Sequence, residues 1–205
     1  MPVDLAALVD PAHTVLVTQE CQNGVIGPEA ALPQLADIAR PRMIPAAARL
    51  CAAARDVGVP VVHCVAARRA DGQGSNANAR LFLGMRKLDV ALLPGTDAVR
   101  VIPEIGVADA DVVLTRLHGL GPMGGTDLDA VLRNLGARTV IGIGVSVNVG
   151  MTNFAMDAVN AGYQFVLPRD AVAGIPEDYA EAVIEHTLSL LATITTVDEI
   201  QACWP

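Results

Sequence analysis

Lysine is nearly missing from this 205-residue chain: Lys87 is the only one among fourteen lysine and arginine residues. No basic cluster extends beyond Arg68-Arg69 and Arg86-Lys87, and the formal charge is −8. An acidic chain without a basic patch repels polyanions, which argues against a nucleic acid partner. Long apolar runs are missing too. Hydrophobic residues make up 52% of the chain, yet Asp, Arg, Gly or Pro interrupts every run. None reaches the roughly 18 residues of a membrane-spanning helix, so no membrane partner is expected. Cys21, Cys51, Cys64 and Cys203 show no CxxC or Cys/His spacing. That pattern argues against a zinc site or a disulfide framework and leaves buried thiols as the expectation. The opening Met-Pro-Val-Asp-Leu has neither the basic nor the apolar region of a secretory leader, so a cytoplasmic location is expected.

What is present is a regular alternation. Segments rich in β-branched residues, Thr14 to Thr18, Val59 to Val65, Val112 to Thr115, Thr139 to Ile143, Gln164 to Pro168 and Thr193 to Val197, read as strands. Helices are expected from Leu35 or Arg42 to Val57, Thr126 to Leu135, Asn148 to Ala161 and Pro176 to Leu191, with Gly58, Gly136 and Gly162 as stops. Continuous apolar character in the strands implies a sheet covered on both faces. The length fits a single domain over residues 1–205. Together these features predict a three-layer α/β/α domain around a six-stranded, mainly parallel sheet. The polar stretch between Ala66 and Pro94 reads either as a loop near a site or as a merely solvated loop.

Ligands bind beyond the carboxyl ends of strands in such sheets, which selects Glu20, Arg116 and Gly150. After the first strand come Glu20-Cys21-Gln22-Asn23; the third ends in Arg116-Leu117-His118 beside glycines at 119, 121, 124 and 125. The fourth leads through Gly144-Val145-Ser146 into a helix whose first N–H groups could form an oxyanion site. A nucleophile is expected there, but Gly150 carries no side chain. Ser146 and Asn148 could hydrogen-bond a substrate, Asn148 serving also as a helix N-cap.

These segments resemble the isochorismatase-like superfamily, the cysteine hydrolases that include nicotinamidases, N-carbamoylsarcosine amidohydrolases and isochorismatases. Glu20-Cys21-Gln22-Asn23 mirrors the family's Asp-x-Gln-Asn. Arg116 and Gly125-Thr126-Asp127-Leu128 mirror its Lys and following Gly-Thr-Asp-Leu, and Gly144-Val145-Ser146-Val147-Asn148-Val149-Gly150-Met151 mirrors its nucleophile turn. Asp157-Ala158, Gly162-Tyr163 and Asp170-Ala171 also fit. The resemblance implies a non-proline cis peptide at or next to Val145-Ser146 and a homodimer or homotetramer. It implies no metal and no organic cofactor.

Members that cleave amides use Asp, Lys and Cys where this chain has Glu20, Arg116 and Gly150. Without a thiol at position 150 no thioester can form there. Isochorismatases carry a small residue at that position, because vinyl-ether hydrolysis needs a proton donor and water. The expectation is therefore a cysteine-independent hydrolase of a small polar metabolite, with Glu20 as acid/base and Arg116 as anion clamp. The Arg116–Glu20 pair, bidentate if the guanidinium forks onto the carboxylate, is either a repurposed catalytic dyad or a structural ion pair, and water or a substrate group would fill the space left at Gly150. Gln22, Asn78, Arg80, His118, Ser146 and Val149 are the candidate substrate-binding residues. A catalytically silent small-molecule-binding protein is the alternative.

Overall fold

The computed structural model describes residues 3 to 204; Met1, Pro2 and Pro205, the outermost positions of the expected domain, lie outside the described residues. A short helix α1 (Leu5–Leu8) precedes strand β1 (Thr14–Gln19), followed by α2 (Asn23–Ile26), α3 (Pro33–Ala39), α4 (Met43–Asp56) and β2 (Val61–Ala66). Helix α5 (Arg80–Met85) lies in the long connection to β3 (Val112–Arg116), after which come α6 (Leu128–Asn134) and β4 (Thr139–Val145). A π-helical turn, Val147–Met151, runs directly into α7 (Thr152–Asn160). The order closes with β5 (Gln164–Pro168), β6 (Val172–Ala173), α8 (Glu177–His186), β7 (Thr193–Thr195) and α9 (Val197–Cys203).

Six strands follow the order β3-β2-β1-β4-β5-β7, and every pairing between them is parallel. The two-residue β6 pairs with β4 at Gly144 and Val145, beyond the Thr139–Ile141 stretch that β5 uses. The expected six-stranded sheet is thus extended by one short strand. Side chains of α3, α4 and α9 bury Leu16, Ile141 and Ile143 on one face. On the other face α6, α7 and α8 cover Val15, Val17 and Val140. Three layers result. β1 and β4 are buried at every position, whereas β3 lies at the edge and leaves Val113 and Thr115 exposed.

Local chemistry explains the boundaries. In α4, Met43, Ala46, Ala47, Leu50, Cys51 and Ala54 are buried at the three- and four-residue spacing of one helix face. The helix begins after Pro41 and ends at Gly58, where Val59 N–H bonds Ala54 C=O and Gly58 N–H bonds Arg55 C=O. The same paired bonds close α6 at Gly136 and α7 at Gly162, and all three glycines have positive φ. The expected strand to Val197 is shorter, because Thr196 and Glu199 form a reciprocal capping box that starts α9. The loop expected between Ala66 and Pro94 contains α5, none of whose residues is fully buried.

Candidate active site

Strand β1 ends in a backbone reversal. Glu20 has φ 53°, the one positive-φ residue other than glycine among the described residues, while its N–H still bonds Cys64 C=O at 2.9 Å. The left-handed conformation is uncommon for a residue with a Cβ and marks the position as constrained by its surroundings. The reversal turns the Glu20 carboxylate into a cavity of about 370 Å³ at the carboxyl ends of the strands. Arg116, the last residue of β3, reaches the same cavity and pairs through Nη2 with Glu20 Oε1. Only one prong of the guanidinium is used on the carboxylate, so the pair is not bidentate. Nη2 also faces Leu120 C=O at 3.4 Å, and Nη1 is buried without a hydrogen-bond partner.

The third wall is the turn after β4. Val145-Ser146 is a cis peptide, as the resemblance implies, and Ser146, Val149 and Gly150 line the cavity. Ser146 C=O accepts from Val149 N–H at 3.3 Å and from Met151 N–H at 3.0 Å, and this doubled acceptor draws in the π-helical turn. Such turns are frequent at functional sites. Asn148 is not the N-cap expected. It lies inside the turn, its Oδ1 accepting from the Ser146 hydroxyl at 2.9 Å and its amide donating to Ile175 C=O at 3.1 Å.

Gly150 does not leave a vacant notch. A Cβ built there would overlap Gln19 Nε2 and come within 3.3 Å of Leu120 C=O. The expected space for water is occupied by the Gln19 carboxamide, which is wholly buried and has neither Nε2 nor Oε1 paired. Gly144 complements the same residue from the other side: a Cβ there would overlap Gln19 C=O. Sequence reasoning missed Gln19, which reads as one more polar residue after an apolar strand. The signal lies in the register Gln19↔Gly144, which becomes visible only when β1 and β4 are paired.

The other expected residues divide clearly. His118 lines the cavity from an exposed position, its ring packed on Gly125, where a Cβ would come within 2.9 Å of Cε1. Gly125 has φ 71° and lets the Thr126-Asp127-Leu128 turn pass under that ring. Gln22 is buried outside the cavity wall: its amide donates to Ala66 and Ala98 carbonyls, and its Oε1 accepts from Ala66 N–H at 2.7 Å. It ties the segment after β1 to the end of β2. Asn78 and Arg80 are exposed and outside the wall; the asparagine of that stretch that lines it is Asn76, whose Oδ1 accepts from Gly119 N–H at 2.9 Å. A second cavity of about 270 Å³, lined by Cys64, Thr126 and Asp127, shares Arg116, Leu117 and His118 with the first.

No thiol is poised for attack here. Burial pushes the Cys21 thiol well up, reinforced by the neighbouring Cys51 and Glu20 charges, and its Sγ faces Gln19 C=O at 3.7 Å. Burial also raises Cys64 to about 12 against the opposing pull of Arg116. His63 belongs to another network. Its Nε2–H donates to Asp111 Oδ2 at 3.1 Å and its Nδ1 accepts from the Thr18 hydroxyl at 2.9 Å, the tautomer fixed by the carboxylate acceptor. Burial lowers its pKa more than Asp111 raises it, so the imidazole stays neutral. Among the described residues no three His, Cys, Asp or Glu side chains gather in a metal-binding group. Nor is any helix among them long and apolar enough to cross a membrane.

The family model of the isochorismatase domain matches residues 14–199. This chain belongs to the isochorismatase family. It is 27% identical over 198 residues to the uncharacterized isochorismatase family protein YecD of Escherichia coli O157:H7, covering 91% of this chain and 94% of that protein. A shorter match, 32% identical over 103 residues, is to the uncharacterized isochorismatase family protein YwoC of Bacillus subtilis (strain 168). It spans 50% of this chain and 54%, about half the length, of that relative. A cysteine hydrolase structure from Pseudomonas syringae pv. phaseolicola 1448A shares the fold of this isochorismatase-family chain, with a TM-score of 0.82 and 23% identity over 96% of this chain and 94% of that chain.

Proposed function

We propose that this isochorismatase-family protein is one domain over residues 1–205 that hydrolyses a small metabolite without a thiol nucleophile. Vinyl-ether or related bond hydrolysis is the chemistry, and Gly150 stands where the cysteine hydrolases carry cysteine. The observation that supports this most is the Arg116–Glu20 ion pair in the wall of a cavity beside a glycine whose side-chain space is already filled by Gln19. A carboxyl group and water suffice for the reaction. In its protonated form Glu20 delivers a proton to the enol carbon and becomes the carboxylate that Arg116 holds; water adds to the carbon bearing the ether oxygen, and Glu20 takes a proton back as the hemiketal forms and breaks down to ketone and alcohol. Arg116, in the wall of the cavity, supplies the positive charge that would balance an anionic group of the substrate. Ser146 and His118 are further polar groups of the same cavity. The protein acts in the cytoplasm as a homodimer or homotetramer on this reading, with no metal or organic cofactor.

A second reading, a catalytically silent binding protein, is favoured by the same Gln19 carboxamide, which occupies the position where an attacking group would otherwise sit. Turnover of isochorismate and simpler enol ethers by the protein and by its Glu20→Gln variant separates the two. Hydrolysis that disappears in the variant supports the hydrolase; binding without turnover in both supports the silent protein.

A further inference from the structure

The cavity described above has a composition at odds with the chain around it. The protein is formally −8, yet Arg68, Arg86 and Arg116 line this space against only two carboxylates, Glu20 and Asp71. Both carboxylates are engaged. Arg116 holds Glu20, and Arg69, which is outside the lining, grips Asp71 through Nε at 3.0 Å and Nη2 at 2.7 Å, holding that carboxyl at about 2. Arg68 and Arg86 make no ion pair among the described residues; Arg86 reaches only the Ser75 and Asn76 carbonyls, at 3.4 and 3.5 Å. Arg116, itself buried, keeps Nη1 without a partner. Arg116 is buried at the base of this space, Arg68 is half-buried and Arg86 is exposed at its edge, so the excess of guanidinium groups along one cavity favours an anion there despite the acidic chain around it.

The rest of the wall is apolar. Leu32 and Leu35 come from the start of α3, Phe82 and Met85 from α5, and Leu92 from the segment that follows. Leu35 and Leu92 are fixed in the core, whereas α5 has no fully buried residue and turns Phe82 and Met85 to the cavity. A polar sugar or amino-acid substrate would leave these surfaces unmatched and lose its own hydration. A cavity of about 370 Å³ is large enough for a ring-sized body.

We propose that the ligand of this site is an amphipathic monoanion: an acidic group matched to the guanidinium set, carried on an apolar ring or short chain that packs against Phe82, Met85 and Leu35. This rests on the reading of the cavity as the substrate site and narrows its substrate class from a small metabolite to an acid with an apolar body. Arg68, Arg86 and Phe82 become specificity-determining residues that no motif marked.

Calorimetric titration of the full chain with phenylacetate, phenylacetamide, phenethylamine and lactate tests it. Phenylacetate should bind about tenfold more tightly than its neutral amide, since a hydrogen bond to a charged group carries roughly that much, and the amine and lactate should bind more weakly still. Phe82→Ser and Arg86→Gln, both on the exposed α5 segment, should each weaken phenylacetate several-fold while thermal unfolding stays unchanged. Equal affinity for phenylacetate and phenylacetamide, lactate binding as well as phenylacetate, or wild-type affinity in both variants would overturn the assignment. The same titration on Glu20→Gln separates this proposal from the hydrolase reading. Retained phenylacetate affinity there, with no enol-ether turnover by wild type, sinks the hydrolase and keeps the ligand class.

Discussion

Gln19 and Gly150 occupy one volume: the carboxamide of the first lies where the side chain of the second would begin. The glycine is therefore one half of a complementary pair. Gly150→Ala or Gly150→Cys forces a wholly buried side chain to move, which should cost about 1–3 kcal/mol of stability, as overpacking does. Shortening the partner should relieve it, so Gln19→Ala combined with Gly150→Cys should be more stable than the sum of the single changes predicts. Chemical denaturation of the four proteins measures the coupling. Additive losses would mean that the two sites do not compete for space.

Arg116→Lys tests the guanidinium itself. An ammonium keeps the charge but is a compact point donor without the planar fork, so it cannot reproduce the guanidinium contacts to Glu20 and Leu120 C=O in the same geometry. Activity or anion binding should fall by about tenfold or more with the fold retained. Steady-state kinetics or titration on the variant decides; full retention would reduce Arg116 to a generic cation.

Acid should destabilise the protein through the network around His63. The imidazole faces Thr18 and Asp111, and Asp111 in turn faces Arg55, whose Nη2 donates to Oδ2 at 2.7 Å, and Ala108 N–H at 2.8 Å. Burial lowers the His63 pKa in the folded state. As pH falls below about 6.5 the unfolded chain takes up a proton that the native imidazole resists, and stability is lost. Asp111 acts in the same sense at lower pH. Burial alone would raise its pKa, but the Arg55, Ala108 and His63 bonds hold it below the ordinary carboxylate value, so its contribution disappears as pH drops through that lowered pKa. Unfolding midpoints should fall steadily from pH 7 to pH 4. Asp111→Asn should cost about 3 kcal/mol at pH 7 by leaving Arg55 partly buried without its counterion.

Thiol reagents should distinguish the four cysteines by burial. Cys51 and Cys64 are pushed up to about 12 and Cys21 well up, while Cys203 is partly exposed near the end of α9. Under native conditions Cys203 should react first and the other three only on unfolding, with turnover unaffected. Mass spectrometry of the labelled protein gives the order. Early modification of Cys21 together with lost activity would make that thiol the nucleophile.

The sheet was legible because buried parallel strands are written as β-branched runs, and Gly58, Gly136 and Gly162 end helices by bonds that need a positive φ. The ends of β1, β3 and β4 were legible for the same reason. Helix α9 carried a readable signal, the Thr196-x-x-Glu199 capping box, which begins inside the segment read as a strand to Val197. What could not be read were relationships across strands. Nothing local to Gln22 says that its amide is spent on Ala66 and Ala98, or that Asn76 rather than Asn78 turns inward.

The strand order also sets a schedule for assembly. β3, β2 and β1 are neighbours drawn from the first 116 residues, so Glu20 and Arg116 can be brought together within that portion alone. Gly144, Ser146 and Gly150 belong to β4 and the turn after it, and β4 reaches β1 only through the long-range pairing Thr14↔Thr139. Long loops must close before such contacts reward the chain, so this pairing is expected to form late. Until it forms, the Gln19 amide stays hydrated and the cavity lacks a wall. In pulsed hydrogen exchange during refolding, the amides of β4 and the π-helical turn should gain protection together, and the binding site should mature at that same moment.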